Sequence, residues 1–259
     1  MGERKMSNED WWKPENLKSS EQAFIENESL EALDTGNDFG SYKIMRLKGD
    51  IKSSQIMSHN DLQPRYRVSA IKKILGENNY KNLLDIGCGL GYTTNELEQA
   101  FLRATVTGID ISEDAILYAS QKFRQCEFRC EAIDPSNNKQ IFKFDLITAF
   151  EFYPFTRTDS LKDHIAYIKH LTKELGLGGS LVIFQLWDNP KSLSVNYEAL
   201  RKHFSNLDFK AYDMPIRKLG NLIHSRKLAV LLSEIIRPIL RIITNRAIGR
   251  NKLIIISKR

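Results

Sequence analysis

Cysteine is scarce in this chain: Cys88, Cys126 and Cys130 are the only thiols among 259 residues. An odd count without paired metal-ligand spacing argues against a disulfide framework or a structural zinc site, and a reducing cytoplasm is the expected setting. Long hydrophobic runs are also missing. No stretch reaches the roughly 18 unbroken apolar residues of a spanning helix, so no membrane crossing is expected. The opening MGERKMSNEDWWKPENLK is charged and lacks an apolar segment, which is not the pattern of a secretory signal. Internal repeats and low-complexity tracts are absent too. With 42% hydrophobic and 27% charged residues, the chain can bury one sizeable core. A main domain is expected at 61–259, behind a cap of short helices and loops at 1–60.

The net charge of +6 is unevenly spread. Acids outnumber bases from Glu3 to Asp38. Between Arg217 and Arg250 the bases are Arg217, Lys218, Arg226, Lys227, Arg237, Arg241, Arg246 and Arg250, against the single acid Glu234. Such a segment attracts anionic surfaces, whether lipid head groups, phosphorylated substrates or nucleic acid.

In PRYRVSAIKKILGENN the apolar residues Val68, Ile71, Ile74 and Leu75 fall at helical spacing, with Gly76 placed as a stop. The period then changes. NLLDIG, ATVTGIDI, EFRCEAID, FDLITAF and SLVIFQLW are short and apolar almost throughout, as strands covered on both faces are. Helical patterns separate them, and LDFKAYDMP and NKLIIISKR add a sixth and a final strand. The expected fold is α/β: a doubly wound, Rossmann-like, seven-stranded and mostly parallel sheet, with a helical insertion before the last strand.

Ligands in such sheets bind beyond the carboxyl ends of the strands. There LLDIGCGLGYTT places Gly87, Gly89 and Gly91. Gly87 and Gly89 permit positive φ and remove Cβ atoms that would block a ligand, and Gly91 permits tight helix entry. TGIDIS ends the next strand in Asp110, suited to accept hydrogen bonds from a ribose diol. Asp85 then separates two kinds of nucleotide ligand. An acid at the strand end repels a pyrophosphate dianion but suits a cationic or amino-bearing ligand.

Asp85, Gly87, Gly89 and Gly91, written D-x-G-x-G-x-G, with an acid closing the second strand, resemble the class I S-adenosylmethionine-dependent methyltransferases. The resemblance runs from about Asn82 to Trp187, plus the final strand. It implies S-adenosylmethionine as cofactor, held by Asp85, the loop Gly87, Cys88, Gly89 and Gly91, and Asp110 with Ile111. In FRCEAID it assigns Glu131 and Ala132 to the adenine, with Asp134 as a competing choice. In FDLITAFEFYPF it places Ala149, Phe150 and Glu151 along the methionine arm and the acceptor. Cys88 reads as a small filler, since nothing basic nearby in sequence would activate its thiol.

The sulfonium already makes the methyl group electrophilic, so the protein's task is to align a nucleophile, exclude water and, for a hydroxyl, assist proton loss. Glu151 is the first candidate for base or acceptor-orienting group, with a solvated loop acid or helix cap as the alternative. His59, ahead of the first core helix, is the second, against a surface or packing role. Tyr153 and His164 rank behind them. WWKPENL and HNDLQPRYRVSAI also resemble the entry segment of the ubiquinone-biosynthesis O-methyltransferases, where an arginine holds the cofactor carboxylate. Arg65 and Arg67 both fall near that place with neither spacing matching, and Lys13 stands where that family has an acid, so the quinol substrate is not carried over. Trp11 and Trp12 either cover the acceptor or pack the cap.

The segment 219–250 is the least ordinary part. On a helical wheel Leu228, Leu231, Leu232, Ile235, Ile236, Ile239, Ile242 and Ile243 share one broad face, opposite Arg226, Ser233, Glu234, Arg237, Arg241 and Thr244. Pro238 is expected to divide or kink it. The segment reads as a helix lying in an anionic membrane interface, or as a lid or dimer contact. The functional reading is methyl transfer to a small-molecule, glycan-precursor or lipid-linked acceptor, most simply at oxygen, with no metal. Arg157 in the loop after the fourth strand adds to an anionic or phosphate-linked acceptor. A non-catalytic cofactor-binding module and an RNA-directed enzyme are the rivals, the latter without any nucleic-acid module in the sequence. Because of Asp85, calorimetric titration with NAD or NADP is expected to give no saturable heat.

Overall fold

The computed structural model describes residues 62–76, 80–136, 143–244 and 249–258. The cap at 1–60, with Trp11, Trp12 and His59, lies outside them. Helix α1 (Leu62–Leu75) carries Pro64 in its first turn, where a missing N–H costs nothing. It stops at Gly76, whose N–H bonds Lys72 O at 3.0 Å with φ at +79°.

Seven strands follow: β1 (Asn82–Ile86), β2 (Thr105–Asp110), β3 (Glu127–Cys130), β4 (Phe144–Phe150), β5 (Leu175–Leu186), β6 (Leu207–Met214) and β7 (Asn251–Lys258). They form one sheet in the order β3-β2-β1-β4-β5-β7-β6. β7 runs antiparallel to both neighbours, and the other pairings are parallel. The reversal of strand order beside β1 is the topological switch point expected for this sheet. Strand interiors are buried without alternation, from Leu146 to Phe150 and from Leu253 to Ile256, because helices cover both faces.

Helices α2 (Tyr92–Ala100), α3 (Glu113–Lys122), α4 (Leu161–Glu174) and α5 (Tyr197–His203) connect the strands. Ser112 and Ser160 cap α3 and α4 by accepting from the N–H groups of Ala115 and Asp163, and Glu113 and Asp114 add charge suited to an N-terminus. On one face of the sheet Ile168, Leu171, Leu200 and Phe204 pack against Ile147 and Ile183. On the other, Ile71 and Leu97 pack against Leu83, Val106 and Val182. Among the described residues no helix intervenes between β3 and β4.

Between β6 and β7 stand α6 (Arg217–Leu222) and α7 (Arg226–Thr244). The latter is one helix through Pro238, so the expected division does not occur. Its anchoring also departs from the wheel. Ser233, placed there on the polar side, is fully buried; its hydroxyl donates to Ala229 O at 2.7 Å and accepts from Ile216 N–H at 2.8 Å. Arg237 is nearly buried and donates through Nη2 to Met214 O at 3.3 Å. The turn leaving β6 has backbone groups that need partners, and polar side chains of α7 supply them. Ser233→Ala leaves the Ile216 N–H without this acceptor and is expected to cost about 1–3 kcal/mol, read as a lower urea midpoint at unchanged m-value.

Candidate active site

The centre of the carboxyl edge is a buried charge. Asp85 is 2% exposed, and each carboxylate oxygen accepts from a threonine: Oδ2 from Thr94 Oγ1 at 2.8 Å and Oδ1 from Thr148 Oγ1 at 2.7 Å. Thr148 is Asp85's register partner on β4, and Thr94 lies in the first turn of α2. Gly108, the partner on β2, makes this possible, because a Cβ there would sit 2.8 Å from Thr94 Oγ1 and 2.9 Å from the Phe128 ring. Burial pushes the Asp85 pKa up from 3.8 to about 6, against the Thr148 and Thr94 hydroxyls and the nearby Arg67 charge, which lower it.

The loop after β1 takes the backbone expected of it. Gly87, Gly89 and Gly91 have φ of +67°, +52° and +79°, a region side chains rarely adopt. Gly91 is the N-cap of α2, and a Cβ there would lie 2.8 Å from both Ala119 and Phe128. Asp110 braces the loop, accepting from Gly89 N–H and Ser112 N–H at 2.9 Å each. Carboxylate oxygens have further lone pairs, so Asp110 can still accept from a diol. Ile111 beside it is 46% exposed, an apolar surface at the rim. Glu131 is fixed next to Asp110 by its N–H to Asp110 O at 2.9 Å, and Ala132 is exposed. Asp134 instead holds a turn, accepting from Ser136 N–H and Oγ.

Of the two arginines, Arg67 turns inward and Arg65 outward. Arg65 is 65% exposed and lies 3.7 Å from Glu96. Arg67 is buried, stacks over Phe184 and Phe150 at 4.5 and 5.5 Å, and ion-pairs through Nη2 with Glu151 Oε1. Its Nε is buried without a hydrogen-bond partner. Burial lowers the Arg67 pKa, with Glu151, Asp85 and Tyr66 opposing. Glu151 directly follows β4 with φ at +54°, and its carboxylate is 58% exposed at the mouth. Phe152 closes the wall: a Cβ on Gly87 would meet its ring at 2.9 Å.

His164 is fully buried, with Nε2 at 3.2 Å from Pro154 O and Nδ1 at 3.1 Å from Asn196 Nδ2. A ring N–H donating to Pro154 O and an amide donating to Nδ1 fit a neutral imidazole holding the loop after β4. Burial lowers its pKa accordingly. Cys88 is buried, and burial with nearby Asp85 and Asp110 raises its thiol pKa, in keeping with a filler. All three cysteines are free, and no metal-ligand cluster occurs among the described residues. A cavity of about 480 Å³ meets this site only at Glu131 and Ala132. It runs from there along the sheet toward the strand starts, Asn82 and Thr105. Thr94, Thr148, Phe152 and Phe184 were not singled out in the sequence; the polar Thr148 inside the apolar run FDLITAF was the available signal.

Residues 84–181 match the model of a methyltransferase domain family. Over those residues the chain carries a methyltransferase domain. Over 141 residues it is 28% identical to the ubiquinone biosynthesis O-methyltransferase of Idiomarina loihiensis, covering 51% of this chain and 55% of that protein. Over 109 residues it is 32% identical to the trans-aconitate 2-methyltransferase of Klebsiella pneumoniae, covering 42% and 40%. The chain thus spans about half the length of the curated relatives it matches. The plantazolicin methyltransferase BpumL, solved in complex with SAH, shares the fold at a TM-score of 0.56 and 16% identity, over 93% of this chain and 100% of that one.

The buried acid of the methyltransferase domain has a consequence for stability. A carboxyl whose folded pKa lies above its unfolded value favours the folded state when protonated, so its contribution is lost as pH rises from about 4 to about 6. A shift of about two units corresponds to about 3 kcal/mol at most. Asp85→Asn is therefore expected to gain about 1–3 kcal/mol on wild type between pH 4 and pH 7.5, measured by denaturant unfolding at both pH values. A difference independent of pH would contradict it.

Proposed function

We propose that the chain transfers a methyl group from S-adenosylmethionine to an oxygen of a small, glycan-precursor or lipid-linked acceptor. The observation that carries this is the pairing of a positive-φ glycine cradle with two acids, one buried and one at the rim. The cradle lets a ligand approach the backbone, Asp110 accepts from ribose hydroxyls, and Asp85 supplies negative charge behind an amino-bearing arm. Glu131, Ala132 and Ile111 suit the adenine. The orphaned Nε of buried Arg67 suits the cofactor carboxylate, as the resemblance to the ubiquinone-biosynthesis enzymes implies.

When bound, the cofactor supplies an electrophilic methyl group. The residues of this chain then position the acceptor. Glu151, at the mouth and steadied by Arg67, orients an acceptor hydroxyl and takes its proton, while Phe150 and Phe152 exclude water. Among the described residues no helix is long and apolar enough to cross a membrane. A cytoplasmic enzyme that meets its acceptor at a membrane surface is the setting we infer.

Calorimetry with S-adenosylmethionine and a methyl-transfer screen of small-molecule, polyprenyl-linked and RNA acceptors test the proposal. Binding without turnover across the screen favours the non-catalytic module, and turnover on RNA alone the RNA-directed enzyme. Glu151→Gln is expected to lower kcat by about 10²-fold or more with cofactor affinity changed less than about threefold. Asp110→Ala is expected to weaken cofactor binding by about tenfold or more.

A further inference from the structure

Helix α7 holds a wide apolar stripe in solvent. Leu228, Leu231, Ile235, Ile239, Ile242 and Ile243 recur at helical spacing, and every one is exposed, Ile242 to 83% and Ile243 to 72%. The helix does not need them for attachment, because Ala229, Ser233 and Arg237 fix it to the end of β6 from another side. A stripe of this size on a helix already anchored is a surface for something else.

Charge and position identify the occupant. Lys218, Lys227 and Arg241 are exposed on α6 and α7. The single acid of the segment, Glu234, is already bonded to Arg237 and Arg250. Met214 pairs with Asn251, and Asn251 with Leu186, so α6 and α7 leave and re-enter the sheet at its carboxyl edge. The glycine cradle and Glu151 open at that same edge. An isologous contact between two copies would bring two positively charged segments together, which disfavours a dimer.

We propose that α7 docks the protein on an anionic lipid surface, its stripe lying in the plane of the interface and its bases meeting lipid phosphates. The active-site edge then faces the bilayer, so the acceptor is one carried by the membrane. The acceptor class rests on the methyl-transfer reading; the docking does not.

The test is co-sedimentation of the full chain, with S-adenosylhomocysteine binding measured by calorimetry on the same samples. Vesicles of phosphatidylcholine with about 30% phosphatidylglycerol are expected to hold it at least about tenfold more tightly than phosphatidylcholine alone. Ile239→Glu with Ile242→Glu is expected to abolish retention, and Lys227→Glu with Arg241→Glu to reduce it about fivefold on anionic vesicles only. Both variants should keep wild-type melting and S-adenosylhomocysteine affinity. Absent retention, or retention unchanged by Ile239→Glu with Ile242→Glu, overturns the proposal. So does a wild-type dimer that this variant dissociates, which assigns the stripe to a second copy. A nitroxide on Ile239→Cys, in a chain also carrying Cys126→Ser and Cys130→Ser, should be accessible without vesicles. Shielding in the monomer assigns the stripe to residues 1–61 and likewise overturns the proposal. Failure to bind S-adenosylhomocysteine would instead count against the cofactor reading and leave the vesicle result standing.

Discussion

The carboxylate of Asp85 is taken out of water in the middle of the sheet, and the surrounding structure is organised around keeping it there. A buried charge is tolerated only when hydrogen-bonded or paired, and here two hydroxyls and a neighbouring guanidinium meet that demand. Each requirement propagates outward. Thr148 reaches Asp85 only in the observed β1/β4 register, and Thr94 only if α2 starts at once after the loop and β2 has no side chain at Gly108. Gly91 lets α2 begin there, close against Ala119 and Phe128. The glycines of the loop therefore serve the packing beneath the cradle as much as the opening above it.

From that acid a line of alternating charge leads to solvent: Asp85, then Arg67, then Glu151. Arg67 is the hinge of the line, packed between aromatic rings and answering to both carboxylates. Its burial makes the pose of Glu151 a property of the core rather than of a loop. The left-handed backbone at Glu151, a conformation that strains a residue with a side chain, is compatible with that demand.

The sheet was legible in the sequence because the hydrophobic period changes at Asn82 and continuous apolar runs announce strands covered on both faces. The cradle was legible because glycine adopts such backbone without the steric cost that other residues meet. The partners of Asp85 were not, since a hydrogen bond between β1 and β4 depends on register, and register is a property of two segments read together. The choice between Arg65 and Arg67 was open for a similar reason: two residues apart on a helix they point to opposite sides, and only the packing of α1 says which side is inside. On α7 the wheel found the apolar face but not which residues the fold uses. Ser233 is buried and Arg237 nearly so because the turn after β6 needs hydrogen-bond partners, a demand that amphipathicity does not encode.

β7 lies between β5 and β6, although the chain makes it after both. Until Leu253 to Ile256 emerge from the ribosome, β5 and β6 face a gap they cannot close on each other, with two unpaired edges. Segment α6–α7 is synthesised during that interval. β5 and β6 therefore join one sheet only when β7, made after both, is available to pair with each of them. Folding of this half is contingent on a strand synthesised after the α6–α7 segment rather than progressive along the chain.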